Sequence, residues 1–265
     1  YSIVAIPCAR DCAKRKEVIM TMQQLSEAGQ KLQLSLIKKG VKKIKPMEIG
    51  FALDVSRSYM DEHQDGTTQL LVDALVPWGE VFDPDHKMDV CTFSNEERNM
   101  VHHKTHPLTV ASSDGYVKRH IINCQGYGGG TDFAPVLSHL RKIFGQVPEP
   151  KQWNGPKLCE HFLTIAPPKY PALALVVTDG VNNDKVATRM TLRDAQQRGE
   201  QIYFLFIAVR RGKEAFEFLH QIAKEFDNTG LVIIDLHELK VLVSQGVEAL
   251  NDRLLGAELV TWLSV

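Results

Sequence analysis

Ile49-Gly-Phe-Ala-Leu-Asp-Val-Ser-Arg-Ser58 is the stretch that decides the architecture. A near-continuous apolar run, Ile49 to Val55, ends in a polar cluster. Strands buried on both faces, as in parallel sheets sandwiched by helices, have this composition. The cluster itself has the pattern D-x-S-x-S, formed by Asp54, Ser56 and Ser58. A carboxylate and two hydroxyls spaced by two can converge on one point where a chain turns off a strand end. All three are hard oxygen donors, which suit Mg²⁺ or Mn²⁺ and not Zn²⁺.

Outward from this strand, further apolar runs occur at Met88–Phe93, Ala172–Val177, Ile202–Val209 and Leu231–Ile234. Helical stripes lie between them. Leu71, Ala74, Leu75 and Trp78 fall at i, i+3, i+4 and i+7, and Phe133, Val136, Leu137, Leu140 and Phe144 form a second stripe. Helices are also expected over 184–198, over 213–226 (with Ala215, Phe218, Leu219, Ile222 and Phe226) and, as one element, over 237–255. Residues 97–110 have the pattern of a hairpin or edge segment. Strands alternating with helices predict a doubly wound α/β fold, with a mostly parallel sheet and helices on both faces. Such sheets bind ligands beyond the carboxyl ends of their strands, near a topological switch point.

Two more polar pieces stand at such ends. Gly128-Gly-Gly-Thr-Asp132 places Thr131 just ahead of a helix, with Thr131 or Asp132 as its N-cap. Ala174-Leu-Val-Val-Thr-Asp-Gly180 ends another buried strand with Asp179. D-x-S-x-S alone is a weak signal, and an Asp before Gly is common in turns. Three such pieces in this order are a strong one.

With these residues in place, the sequence resembles the von Willebrand factor A (vWA) family and its metal-ion-dependent adhesion site. It looks most like the bacterial tellurium-resistance TerF-type branch, on Gly-Gly-Thr-Asp-Phe-Ala-Pro135, Val-Val-Thr-Asp-Gly-Val-Asn-Asn-Asp184 and the closing Leu254-Leu-Gly to Trp262-Leu. The resemblance implies that Asp54, Ser56, Ser58, Thr131 and Asp179 surround a cation, Mg²⁺ or else Mn²⁺ or Ca²⁺. It implies a protein partner whose Asp or Glu carboxylate completes the coordination, in a bacterial stress or tellurite-resistance system. Arg57 departs from the family, which usually has Gly between the two serines; it adds a cation at the rim.

The rest of the chain bounds this reading. In its 265 residues, 44% are apolar and 24% charged, and the net charge is −1. That balance gives no electrostatic case for nucleic acid or a membrane surface, and no apolar run reaches the roughly 18 residues of a span. The N-terminus lacks the charged region of a signal peptide, and its missing Met suggests a fragment or processed product. Five cysteines, Cys8, Cys12, Cys91, Cys124 and Cys159, show no disulfide framework. Free thiols and a cytoplasmic location are expected.

Residues 1–45 are expected to form a helical extension and basic linker, and 46–265 the vWA domain. In the extension Val18, Met22, Leu25, Leu32 and Leu36 share a stripe interrupted by Gly29, and Gly40 is a candidate C-cap. Lys38, Lys39, Lys42, Lys43 and Lys45 form a solvated linker or a patch for an acidic surface. Six of the twelve prolines fall within 148–171, which marks a long loop or insertion, either functional or simply mobile.

No His or Glu with motif spacing adjoins the three loops, so no catalytic constellation is found and a non-enzyme is expected. A metal-assisted enzyme acting on a phosphate or nucleotide is the alternative, and a scaffold with a vestigial metal site the third. Gly126-Tyr-Gly-Gly-Gly-Thr-Asp132 lacks the Lys-Ser/Thr of a P-loop. Asp54 lacks the second Asp, two residues on, of haloacid dehalogenase-type nucleophiles. His102, His103 and His106 lie on an extended segment before Pro107 and are expected at the surface as non-ligands. Cys8-x₃-Cys12 has no second pair to complete a zinc site.

Overall fold

The computed structural model describes residues 25–147, 168–180, 182–212 and 216–265. Six strands form one sheet: β1 (Glu48–Asp54), β2 (Asp89–Phe93), β3 (Val101–His102), β4 (Ala172–Thr178), β5 (Ile202–Arg210) and β6 (Thr229–Asp235). Their order is β3-β2-β1-β4-β5-β6, parallel throughout except for β3, which runs antiparallel to β2 at one edge. The apolar runs became strands because both faces are covered: every residue of β4 and all but the first of β1 are buried. The edge strand β6 alternates instead. The doubly wound fold expected from the sequence is the one found.

One face is covered by α4 (Ala134–Ile143), α5 (Lys185–Gln197) and α6 (Glu217–Glu225), which pack on Ala52, Cys91, Phe93, Ala174, Val176, Phe204 and Phe206. The other face carries α3 (Thr67–Phe82), α7 (Leu236–Gln245), α8 (Val247–Leu254) and α9 (Ala257–Ser264), over Phe51, Leu53, Val90, Leu173, Leu175 and Leu205. The buried Trp78 indole donates to Asn251 Oδ1 at 3.0 Å and ties α3 to α8. Gly50 allows α4 its close approach, since a Cβ there would stand 2.9 Å from Leu140 Cδ2 and Phe144 Cε2.

Of the N-terminal extension, α1 (Glu27–Lys38) is described, and it packs against α3 and α8. Leu32 and Leu36 are fully buried there. Ser26 caps it by accepting from Gly29 N–H at 3.1 Å, and Ser26 Oγ donates to Glu80 on α3. Gly40 has φ +98°, with Gly40 N–H bonded to Ile37 O and Val41 N–H to Leu36 O. This is the glycine-terminated helix end anticipated for it. Val18, Met22 and most of the 148–171 loop lie outside the described residues.

Two local expectations were wrong. The single helix predicted over 237–255 is two, because Gly246 takes φ +107°, a conformation no helix contains. Helix α4 is not capped by Thr131 or Asp132. Its first turn is capped from another segment: Asp184 accepts from Phe133 N–H at 3.0 Å and Ala134 N–H at 2.8 Å. Asp132 instead accepts from Glu96 N–H at 3.1 Å. A cap supplied across the fold leaves no mark in the local sequence.

Arg141 on α4 is 5% exposed and grips Glu200, which precedes β5, through two bonds of 2.6 and 2.5 Å, with Asp194 of α5 at 2.6 Å. Removing one partner of a buried ion pair strands the other's charge. Glu200→Ala should therefore cost about 3–5 kcal/mol in denaturant unfolding, whereas Arg141→Met combined with Glu200→Leu should recover most of it. A loss below about 1 kcal/mol for the single variant would show that Asp194 alone satisfies Arg141.

Candidate metal centre

The strand order reverses direction between β1 and β4: the chain proceeds from β1 towards β2 on one side, and from β4 through β5 to β6 on the other. This opens a crevice at their carboxyl ends. Asp54 closes β1 and pairs with Phe93 at the end of β2, while β4 ends alongside at Thr178. Three chain turns meet here.

The first turn is D-x-S-x-S. Asp54 Oδ1 accepts from the Ser56 N–H at 2.8 Å, which folds the chain back on the strand end. Ser56 is extended, the next three residues make a 3₁₀ turn, and α2 (Met60–Gln64) follows. This brings the Ser56 and Ser58 hydroxyls within 3.2 Å of each other. The His63 ring packs edge-on to Tyr59, and its Nε2 bonds the Asp54 carbonyl at 2.8 Å. Burial pushes His63 down to about 4, so it is neutral at physiological pH. Arg211, after β5, holds this turn from outside through Glu62 and, at 2.9 Å, Asp65.

The second turn is the glycine loop. Gly128 N–H donates to Val55 O and Arg57 N–H to Gly129 O, both at 2.8 Å, so the loop runs as a short parallel bridge beside Ser56. Asn95 Oδ1 accepts from Gly130 N–H at 2.9 Å. A Cβ on Gly129 would meet that same oxygen at 2.5 Å, so the approach requires glycine. Thr131, at 1% exposure, is carried in by this loop.

The third turn follows β4. Thr178 Oγ1 donates to Asp54 Oδ2 at 2.7 Å and accepts from Gly180 N–H at 3.0 Å. Asn183 N–H donates to Thr131 O at 2.8 Å, joining the third turn to the second. Asp54 is completely buried; desolvation, with the adjacent Asp179 charge second, raises its pKa to about 7. Gly180 has φ +84°, and the Phe216 ring lies where its Cβ would be, at 2.1 Å.

Ser56 thus touches both Asp54 and Ser58, the loop that carries Thr131 is bonded to the first turn through Gly128 and Gly129, and the charge of Asp179 is felt at Asp54. The donors are carboxylates and hydroxyls, and the charge of Asp179 opposes ionisation of the buried Asp54. This set fits a hard divalent cation. Each Asp54 oxygen accepts one hydrogen bond and keeps a further lone pair, so the carboxylate is oriented by these bonds without being closed to an ion. Arg57 is exposed and is not among the residues with positive φ, so the turn does not require the glycine usual at this place. Thr178, Asn95 and His63 escaped the sequence reading. Thr178 was visible as the hydroxyl directly before Asp179, but Asn95 and His63 act through contacts no spacing announces.

The histidine expectation needs correction. His106 is exposed and stacks on His120, as a surface residue would. The His102 side chain is only 10% exposed. It lies across from Cys91 in the β2–β3 pair and edge-on to His139 of α4. The Cys8 and Cys12 pair lies outside the described residues.

Residues 46–265 match the family described as the vWA found in the TerF C terminus. The protein YcbR of Bacillus subtilis (strain 168) is 23% identical over 208 residues, which cover 77% of this chain and 74% of YcbR. Proximal thread matrix protein 1 of the mussel byssus is similar in structure, with a TM-score of 0.50 and 15% identity over 79% of this chain and 49% of that one. A von Willebrand factor type A structure from Catenulispora acidiphila aligns with a TM-score of 0.44 and 13% identity, over 80% of this chain and 43% of that one. The chain spans half or less of the length of these two structures, and likeness at this identity concerns the fold alone.

Asp54 has a definite pH signature. Its folded-state pKa of about 7 lies above the ordinary 3.8, so the folded protein binds the proton more tightly. Without divalent cation, its contribution to stability is lost as pH rises from about 4 to about 7. His63 acts oppositely: its depressed pKa makes stability fall as pH drops from about 6.5 to about 4. Asp54→Asn should remove only the first effect, raising Tm by several degrees at about pH 8 in chelator and leaving it little changed at about pH 4. An equal Tm change at both pH values would mean that Asp54 carries no such strain.

Proposed function

This chain belongs to the vWA-TerF-like family, and we propose that it is a divalent-cation-dependent protein-binding module. In this proposal Asp54, Ser56, Ser58, Thr131 and Asp179 hold Mg²⁺, with Mn²⁺ or Ca²⁺ as substitutes. A partner's Asp or Glu carboxylate supplies a further ligand. The observation that carries the reading is the buried Asp54 carboxylate, its pKa raised by burial and by Asp179 beside a pair of converging serine hydroxyls.

The charge balance favours capture. Two carboxylates neutralise one divalent cation and the hydroxyls add no charge, so a bound cation keeps affinity for one more anion. Arg57 stands exposed on the first turn and adds positive charge where an acidic partner would approach. Val186 and Met190 on α5 are 75% and 63% exposed, offering apolar contact beside the third turn. The family's description places such domains in TerF, which fits a role in a bacterial stress or tellurite-resistance system.

Among the described residues, nothing on the rim argues specifically for hydrolysis. His63, the imidazole nearest the site, is committed to the Asp54 carbonyl and too acidic to serve as a base near pH 7.

A cation that binds the folded chain stabilises it by mass action, by about 2.7 kcal/mol at a hundredfold excess over Kd, and so raises its melting temperature. Mg²⁺ should raise Tm of the wild type and leave Asp54→Ala and Ser58→Ala nearly unmoved. Superimposed wild-type melts with and without Mg²⁺, Mn²⁺ and Ca²⁺ would refute the proposal. For the partner, Arg57→Glu should slow association with any Mg²⁺-dependent acidic binder and steepen the loss at low salt, where screening is weakest. An unchanged association rate would remove Arg57 from the recognition surface.

A further inference from the structure

Three side chains on the flank of the sheet belong to no part of the crevice. Cys91 of β2, His102 of β3 and His139 of α4 each present one donor atom, and these three atoms all lie within 4.8 Å of one another. The elements enforce this. Cys91 and His102 are directly opposed in the antiparallel β2–β3 pair, which puts their side chains on one face. Helix α4 lies over that face and supplies His139, whose ring meets that of His102 edge-on, with centroids 5.0 Å apart.

The polar bookkeeping of the cluster is incomplete. His102 Nε2 bonds Asp89 Oδ1 at 3.1 Å, while His102 Nδ1 is buried and has no hydrogen-bond partner. His139 Nε2 is likewise buried without a partner. Cys91 is fully buried and not in a disulfide. A buried nitrogen left without a partner carries an unrecovered desolvation cost, and here two occur beside a thiol.

We propose that Cys91, His102 and His139 form a second metal site, for a borderline-soft cation of the Zn²⁺ class. Sulfur and two imidazole nitrogens are the donors such ions prefer and Mg²⁺ avoids. Zn–S and Zn–N bonds of about 2.3 and 2.0 Å place tetrahedral ligand atoms roughly 3.3–3.5 Å apart, so modest side-chain rotations close the present cluster. Binding displaces the Cys91 proton to solvent and gives each orphaned nitrogen a partner. Asp89, bonded to the far nitrogen of His102, fixes the ring orientation and tautomer, as carboxylates behind metal-bound histidines do. Three protein ligands leave the fourth position to water or an outside ligand. Cys91 lies two residues before Phe93, about 7 Å back from the sheet end, so the two sites have separate ligands and opposite donor preferences.

Cobalt(II) is the probe, because thiolate ligation gives it a near-ultraviolet charge-transfer band alongside visible ligand-field bands. The full chain with Cys8, Cys12, Cys124 and Cys159 replaced by Ser isolates Cys91 from the other thiols. One equivalent of Co²⁺ should produce both features, and Zn²⁺ but not Mg²⁺ should bleach them. Cys91→Ser should abolish the charge-transfer band. His139→Gln, at a half-buried helix position less critical to folding, should weaken binding at least tenfold, and Asp89→Asn by about 10–100-fold. Asp54→Ala should leave the bands intact. Absence of the charge-transfer band at one equivalent, its survival in Cys91→Ser, an unchanged Co²⁺ affinity in His139→Gln, or loss of the band in Asp54→Ala would overturn the proposal.

Discussion

Asp54 is a carboxylate held entirely out of water beside a second carboxylate, and the surrounding structure is arranged to make that tolerable. Its two oxygens are taken by the Ser56 amide and the Thr178 hydroxyl, one from its own turn and one from the neighbouring strand. These bonds draw the first and third turns together, and the glycine loop is pinned on top through Val55, Arg57 and Asn95. The crevice therefore exists only when β1, β4 and the loop ahead of α4 are all in place. It is a product of long-range order, built where a reversal of strand order leaves room between neighbouring strands.

The scaffold was legible because its rule is simple. Strands buried on both faces must be apolar through their interior, and β1, β4 and β5 are, with charged residues only at their ends. The crevice was legible because its residues cluster at strand ends, in short runs whose polarity contrasts with what precedes them. Legibility failed wherever one segment completes another. Asp184 caps α4 from 50 residues away, and Thr178 and Asn95 serve side chains and backbone on other loops. Gly246 was visible as a residue but not as a break, since a single glycine is compatible with a helix until its φ is known.

Cys91, His102 and His139 failed for the same reason in stronger form. Recognisable metal motifs place ligands on one turn or helix at fixed spacing. This cluster takes one residue each from a central strand, an edge strand and a covering helix, so its ligands become neighbours only after the sheet has paired and α4 has docked. His102 looked like one of three surface histidines on an extended segment. The extended segment was right, but strand alternation sends His102 inward against α4 while His106, beyond the strand, stays outside.

Helix α1 precedes the stretch that matches the family, yet it is seated as firmly as any helix within it. Leu32 and Leu36 are wholly enclosed by α3 and α8, and Gly29 lets the backbone come so near Glu80 that a methyl group would collide with its carboxylate at 2.7 Å. A chain cut at residue 46 to match the family limits would expose an oily furrow between α3 and α8. Such a trimmed protein would tend to self-associate through that scar, and any oligomer it formed would reflect where it was cut and say nothing about its partners.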